Sequence, residues 1–317
     1  MNDLIFVALS SFAVDNRRPL DLLESSGYPF RIHQTGKRIT TDELLRDARD
    51  ATVILAGVEQ YSAGTQAQLA ALKCISRLGT GVDAIDLAAA RERGITVSNT
   101  PGIPTTAVAE LALSMFLALG RNMHWQANLM HARRWERVTA HLLDGRTVGL
   151  IGFGSIGQRV AQLCRAFNAR VVACDPVANQ EAAGALGVSL VSKEVLLREA
   201  DIVSIHASRS ADQRPVVGAA EFAAMKPGAV LVNLARGDLV DEAALVDALK
   251  SGKLSGAGLD VFSAEPYGGP LCDFEQVILT PHSATNTVET RMAMEMKCLE
   301  NALGFLQGKL PAACRVV

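Results

Sequence analysis

Residues 147–160 read TVGLIGFGSIGQRV. Val148, Gly149, Leu150 and Ile151 form a short apolar run of strand character, and Gly152, Gly154 and Gly157 follow at the spacing of a tight turn that opens a helix. In such a turn Gly152 permits the sharp reversal, Gly154 lets a pyrophosphate come close to the backbone, and Gly157 lets the helix pack on the strand. The unpaired N–H groups at the helix start then face the anion. A second strand, residues 170–174 (RVVAC), ends in Asp175, about 20 residues beyond the glycines, where a carboxylate accepts hydrogen bonds from an adenosine ribose and repels a further phosphate on it. The stretch therefore predicts a dinucleotide-binding unit that takes NAD.

Downstream, strands are expected at residues 201–206, 229–234, 255–260 and 277–279, with helices at 193–199, 219–225 and 242–251 and a last helix at 288–306. Upstream, strands at 4–9, 28–33, 51–56 and 95–98, and one ending at Arg77, alternate with helices at 20–26, 41–49 and 84–93. Thr40 or Thr41 caps the second of these helices, and Asp83 and Asp86 are candidate caps for the third. Alternation of strand and helix argues for parallel sheets covered on both faces. A single sheet of that many strands would be very wide, so the fold class is α/β with two doubly wound parallel sheets. Asn99, Thr100, Pro101 and Gly102 break the pattern and mark a domain boundary. Residues 105–119 make a helix apolar nearly all round, suited to burial between domains or subunits. The segment 122–138 carries His124, Trp125, His131, Arg133, Arg134 and Trp135, which suits either a subunit interface or a solvated helix with its tryptophans in the core.

The chain has 317 residues, 49% hydrophobic and 20% charged, with a net charge of -2. That balance provides no electrostatic footprint for nucleic acid or an anionic membrane. Six cysteines are scattered without a CxxC pair or a zinc-type His spacing, which points to reduced thiols in the cytoplasm and to no metal. The apolar N-terminal run has Asp3 before it and no basic residues, so it reads as a strand rather than a signal peptide. The most apolar later run, residues 107–119, contains Glu110 and is too short for a bilayer. A soluble, cytoplasmic protein is expected.

Three segments at predicted strand ends carry charged or titratable groups: Arg236 in NLARGDLVDE, Glu265 in GLDVFSAEP and His282 in ILTPHSAT. Singly, each reads as an ordinary loop or surface residue. Together, beside a dinucleotide turn, they suit hydride transfer. An arginine fork holds the carboxylate and carbonyl of a 2-keto acid, an imidazole protonates the carbonyl oxygen, and a carboxylate orients the imidazole. Gly79, Thr80 and Gly81 lie at another strand end, where exposed N–H groups suit a carboxylate and where a plain loop would also use glycine.

These segments, with ISRLGTGVDAIDL, NTPGIPTTAVAEL, GLIGFGSIG and MKPGAVLVNLARGDLVDEAAL, resemble the D-isomer-specific 2-hydroxyacid dehydrogenase family over nearly the whole chain. The resemblance implies a Rossmann NAD-binding domain, residues 99–286, inserted in a flavodoxin-like substrate domain, residues 1–98 and 287–317, with the active site in the cleft. It implies Arg236 as substrate anchor, His282 as acid/base and Glu265 as its partner. Thr80, Ser155, Ile156, Asp175, Leu234, Ala235, Asp260, Ser283 and Ala284 are implied near the cofactor, with Asp260 at the nicotinamide carboxamide. Gly79, Thr80 and Gly81 would meet the substrate carboxylate through their N–H groups. The resemblance also implies a homodimer formed through the cofactor domain.

Arg77 matches a position that in phosphoglycerate dehydrogenases helps to hold the substrate phosphate, and is equally readable as a structural arginine paired with an acid. The chain departs from the family at His206, Ala207, Ser208, Arg209 and Ser210, where His-x-Pro-Leu-Thr is common, which leaves His206 as a structural residue. It also departs at Ala84, Ser283 and Ala284. No regulatory domain is expected after residue 317, and with it no serine feedback. The expected reaction interconverts a small D-2-hydroxy acid and its 2-keto acid, of the phosphoglycerate, glycerate/hydroxypyruvate or glyoxylate kind. Phosphite oxidation on the same scaffold, or a non-catalytic, corepressor-like NAD sensor, are the alternatives; formate oxidation is disfavoured because those enzymes carry glutamine where Glu265 stands.

Overall fold

The computed structural model of the chain describes residues 3–209 and 214–317, so Ser210 lies outside the described residues. The chain divides into two compact units, one of Met1–Pro104 with Asn286–Val317 and the other of Thr105–Thr285.

In the first unit the elements run β1 (Ile5–Val7), α1 (Arg18–Ser25), β2 (Phe30–Ile32), α2 (Thr41–Asp47), β3 (Val53–Ala56), α3 (Ala63–Gln68), β4 (Cys74–Arg77), α4 (Leu87–Glu92) and β5 (Thr96–Ser98). The five strands are parallel in the order β2-β1-β3-β4-β5, the order of flavodoxin-type sheets. Strand residues alternate between two cores. Ile5, Val7, Val53 and Leu55 pack with Leu23 of α1 and with Met294, Cys298 and Leu299 of the last helix, whereas Phe6, Ile54 and Ile75 pack with Leu44 of α2 and Ala90 of α4. Burial of both faces is why these strands read as continuous apolar runs.

Local chemistry sets the helix starts. Thr40 caps α2 in a capping box, its hydroxyl accepting the Glu43 N–H while Glu43 accepts the Thr40 N–H at 2.8 Å. Asp86 caps α4 through the Ala89 N–H at 2.9 Å. That helix starts three residues later than its sequence suggests, because residues 84–86 instead pair with Tyr61: Tyr61 N–H donates to Ala84 O and Asp86 N–H to Tyr61 O.

The second unit contains α5 (Thr105–Gly120), α6 (Met123–His131), β6 (Thr147–Ile151), α7 (Ser155–Ala166), β7 (Arg170–Cys174), α8 (Gln180–Leu186), β8 (Ser189–Leu190), α9 (Lys193–Glu199), β9 (Ile202–Ile205), α10 (Ala219–Ala224), β10 (Ala229–Asn233), α11 (Glu242–Lys250), β11 (Leu254–Leu259) and β12 (Val277–Leu279). Its seven parallel strands are ordered β12-β11-β10-β9-β6-β7-β8. Read from β8, this is the 3-2-1-4-5-6 order of dinucleotide-binding sheets with one strand added, and the order reverses between β6 and β9. Helices α5, α7 and α8 cover one face and α9, α10 and α11 the other. The apolar α5 buries Ala109, Ala112, Met115 and Phe116, and a side chain the size of Met115 or Phe116 contributes about 2 kcal/mol on burial. The last helix, α12 (Val288–Leu306), returns to the first unit.

Beyond α6 the chain runs without regular structure to β6. Its tryptophans are not core residues, since Trp135 is 83% exposed and Trp125 37%. Among the described residues no helix is long and apolar enough to cross a membrane.

Candidate active site

The glycine turn follows β6 at the point where the strand order reverses. Gly152 has φ +98°, and a Cβ there would lie 2.6 Å from the Ala207 nitrogen and the His206 carbonyl, so the turn is pressed against the exit of β9. A Cβ on Gly157 would lie 2.4 Å from the Gly152 oxygen. Gly154 has nothing within 4 Å; it is the N-cap of α7 and provides no side-chain bond to the helix's first turn. The opening N–H groups of α7, at Ser155 and Ile156, therefore adjoin open space that a pyrophosphate fits. Asp175 stands beside the turn, with Oδ2 accepting the Phe153 N–H at 2.7 Å and Oδ1 the Val177 N–H at 2.8 Å. A carboxylate has about four acceptor positions, so two bonds leave capacity for a ribose diol.

Three neighbouring loops at the same edge of this sheet hold the predicted catalytic residues. After β10, Asn233 folds the chain back on itself, accepting the Ala235 N–H at 3.0 Å and donating to the Arg236 oxygen at 2.8 Å. Leu234 is buried, while Ala235 and Arg236 are half-buried, and Arg236 Nη1 donates to Ala235 O at 2.7 Å. A Cβ on Gly237 would stand 1.9 Å from the Phe262 carbonyl carbon, so this turn and the loop after β11 interlock. That second loop is anchored by Glu242, the first residue of α11, which accepts both the N–H (2.9 Å) and the hydroxyl (2.8 Å) of Ser263. It carries Glu265, whose Oε2 meets His282 Nδ1 at 2.9 Å and whose Oε1 accepts the Phe262 N–H at 3.2 Å.

His282 follows β12 with φ +51°, a left-handed conformation uncommon outside glycine. Asp260 holds it there. The His282 N–H donates to Asp260 O at 2.9 Å, while the Asp260 carboxylate accepts the Thr280 hydroxyl at 2.6 Å and the N–H groups of Ser283 at 2.7 Å and Ala284 at 2.9 Å. Asp260 was expected at the nicotinamide carboxamide, and Ser283 and Ala284 beside the cofactor. The Asp260 side chain is fully buried, and all three residues are tied into the loop that presents His282. Asn233, Gly237, Glu242 and Thr280 are supports that sequence reading missed, although NLARG and LVDE contain three of them. At the departure after β9, Arg209 Nε pairs with Asp238 at 2.6 Å, and His206 Nε2 meets the Ser204 hydroxyl at 2.9 Å.

In the first unit, Gly79, Thr80 and Gly81 follow β4. Gly79 was expected to offer its N–H to a substrate, but that N–H donates to the buried Thr100 hydroxyl at 2.9 Å, and Thr100 N–H returns to Gly79 O at 3.0 Å. The N–H groups of Thr80 and Gly81 have no partner among the described residues. Gly79 contributes shape: its φ is +115°, and a Cβ there would lie 3.0 Å from Arg77 Nη1.

Residues 113–284 match the D-isomer specific 2-hydroxyacid dehydrogenase family, NAD binding domain. The chain is 35% identical over 294 residues to a D-3-phosphoglycerate dehydrogenase of Archaeoglobus fulgidus, covering 91% of this chain and 55% of that protein. It is 36% identical over 282 residues to a glyoxylate reductase of Aeropyrum pernix, covering 85% and 84%. A crystal structure of a Thermus thermophilus protein is 36% identical, with a TM-score of 0.91 over 99% of this chain and 100% of that one. The chain thus belongs to the D-isomer-specific 2-hydroxyacid dehydrogenase family, and its cofactor is NAD. It spans about half the length of the phosphoglycerate dehydrogenase and most of the glyoxylate reductase.

Proposed function

We propose that the protein is an NAD-dependent oxidoreductase that interconverts a small 2-keto acid and its D-2-hydroxy acid. The observation that carries this reading is the His282–Glu265 pair at 2.9 Å, on the same sheet edge as the glycine turn and the Arg236 loop. Bound NADH supplies a hydride to the keto carbon. Glu265 engages Nδ1 of His282, which leaves Nε2 to deliver a proton to the carbonyl oxygen and to recover it in the oxidative direction. Arg236 binds the carboxylate and the polarised oxygen as a fork. Asp260 and Glu242 hold these loops in place, and the N–H groups of Thr80 and Gly81 donate to the substrate carboxylate. The test is NADH consumption with hydroxypyruvate, glyoxylate, pyruvate, 2-oxoglutarate and phosphohydroxypyruvate. The wild type should turn over at least one, and His282→Ala should lose about 100-fold or more in kcat. Tight NADH binding without turnover of any of them would move the assignment to phosphite oxidation or NAD sensing.

We further propose a homodimer formed through the second unit, in the cytoplasm. Met123, Trp125, Met130, Trp135 and Leu142 are large apolar side chains exposed on or just beyond α6, a concentration that a second copy would cover. The cysteines among the described residues are all free, as suits a reducing compartment. Sedimentation should give twice the chain mass, reduced to one by Trp135→Glu; a wild-type monomer at micromolar concentration would refute the dimer.

A further inference from the structure

The loop after β11 contains an aromatic contact that plays no direct part in the reaction. The rings of Phe262 and Tyr267 are stacked, with centroids 4.2 Å apart and planes 18° from parallel. Phe262 stands three residues before Glu265 and Tyr267 two after it, so the stack closes a short loop on which the carboxylate is carried. Each end of that loop is anchored from outside. The Phe262 backbone is wedged against Gly237, where a Cβ would stand 1.9 Å from the Phe262 carbonyl carbon. The Tyr267 hydroxyl accepts the Leu271 N–H at 3.3 Å, and Leu271 is fully buried in the core on which both rings pack. Gly269 leaves room for this hydroxyl, since a Cβ there would lie 2.5 Å from Tyr267 Oη.

Glu265 needs such support. Its side chain and that of His282 are 34% and 49% exposed. An exposed pair contributes little by its own attraction, because water competes and both side chains lose rotamer freedom. Glu265 also bridges two partners, with Oε1 on the Phe262 N–H at 3.2 Å and Oε2 on His282 Nδ1 at 2.9 Å. Both bonds persist only while the backbone at residues 262 and 265 keeps its spacing, and a stack between the loop ends enforces that spacing.

We propose that Tyr267 is a positioning residue for the acid/base pair: by stacking on Phe262 it holds Glu265 at Nδ1 of His282, and it acts on the reaction only through Glu265. The inference rests on the reading of His282 and Glu265 as the acid/base group and its partner. A carboxylate at Nδ1 selects the neutral tautomer with its hydrogen on that nitrogen, which keeps Nε2 as the atom that exchanges a proton with the substrate oxygen. With the loop opened, the carboxylate turns to water and the ring loses both its orientation and its tautomer preference. The loss then falls on the chemical step and not on the binding of NADH.

The experiment measures kcat, KM and NADH affinity for the wild type, Tyr267→Ala, Tyr267→Phe, Glu265→Gln and the double variant Glu265→Gln with Tyr267→Ala, using the keto acid that the wild type prefers. Tyr267→Ala should lower kcat about tenfold, the scale of one aromatic stack, while KM and NADH affinity stay within about twofold. Tyr267→Phe keeps the ring and should retain most of the activity. In the Glu265→Gln background Tyr267→Ala should have almost no further effect, because a residue that acts through another adds nothing once that one is gone. An equal loss in both backgrounds, or a loss confined to KM, would overturn the proposal. Gly269→Ala displaces the Tyr267 ring without removing it and should give the same signature, so the test stands even where Tyr267→Ala does not fold. If the wild type turns over no keto acid, the functional reading fails, and heteronuclear NMR of the His282 ring nitrogens still decides the role of Tyr267. The neutral ring should carry its hydrogen on Nδ1 in the wild type and become a mixture of tautomers in Tyr267→Ala; an unchanged tautomer would overturn the proposal.

Discussion

The molecule has two glycine turns, each at the C-terminal end of a parallel strand, and they are built differently. At Gly152 the positive φ brings the chain against the exit of the neighbouring strand, and the N–H groups that follow open a twelve-residue helix with no side-chain cap. At Gly79 the positive φ brings the chain against an arginine, and the first N–H is bonded to Thr100. The first turn is supported from behind by His206 and the second by Arg77. A glycine-rich loop is therefore not one device: what it binds depends on which N–H groups its own surroundings have left free.

Alanine at the two positions provides the strongest test of that contrast. Gly152→Ala places a Cβ 2.6 Å from backbone atoms that no rotamer can move. The expected cost is about 3 kcal/mol or more, with the melting temperature lowered by roughly 10 °C and NADH affinity weakened about a hundredfold. Gly79→Ala meets the end of a flexible side chain instead, at 3.0 Å. It should cost roughly 1–3 kcal/mol for its backbone conformation and raise KM for the keto acid about tenfold, with NADH affinity unchanged. Fluorescence titration of NADH and steady-state kinetics on both variants suffice. Loss of NADH binding in Gly79→Ala, or its retention in Gly152→Ala, would erase the distinction between the turns.

The dinucleotide turn was legible in the sequence because its physics is local. Gly152, Gly154, Gly157 and Asp175 lie within one strand-helix-strand unit, and Asp175 accepts the Phe153 N–H inside that same unit. Arg236, Glu265 and His282 were legible as types at strand ends, and His282 and Glu265 do meet. The bonds that Asp260 makes to Thr280, Ser283 and Ala284 were not, because those residues stand some twenty positions along the chain and nothing near GLDVF announces them. Tyr61 was illegible for the same reason: in GVEQYS it resembles an ordinary loop residue, and only its backbone bonds to Ala84 and Asp86 tie it into the core. Helix α3 and strand β8 were too short for a periodic signal, and the exposure of Trp135 depends on packing that its neighbours in sequence do not determine.

The smallest expected effect concerns the supports themselves. Burial pushes the His206 imidazole down to about 4 from an ordinary value near 6.5. The folded state thus holds His206 neutral while the unfolded chain binds a proton between those two values. Its contribution to stability is fully present above pH 6.5 and is lost progressively as the pH falls toward 4. Protonation would also oblige the ring to donate to Ser204 while its backbone still braces Gly152, so acid should loosen the dinucleotide turn before the Gly79 turn. His206→Gln keeps a polar tip for the Ser204 hydroxyl and cannot titrate in this window. Its melting temperature should fall less steeply between pH 6.5 and 4 than that of the wild type, and the carboxylates common to both proteins cancel in the comparison. Equal slopes would mean that the turn is indifferent to the charge behind it, and the contrast between the two glycine turns would then rest on their N–H groups alone.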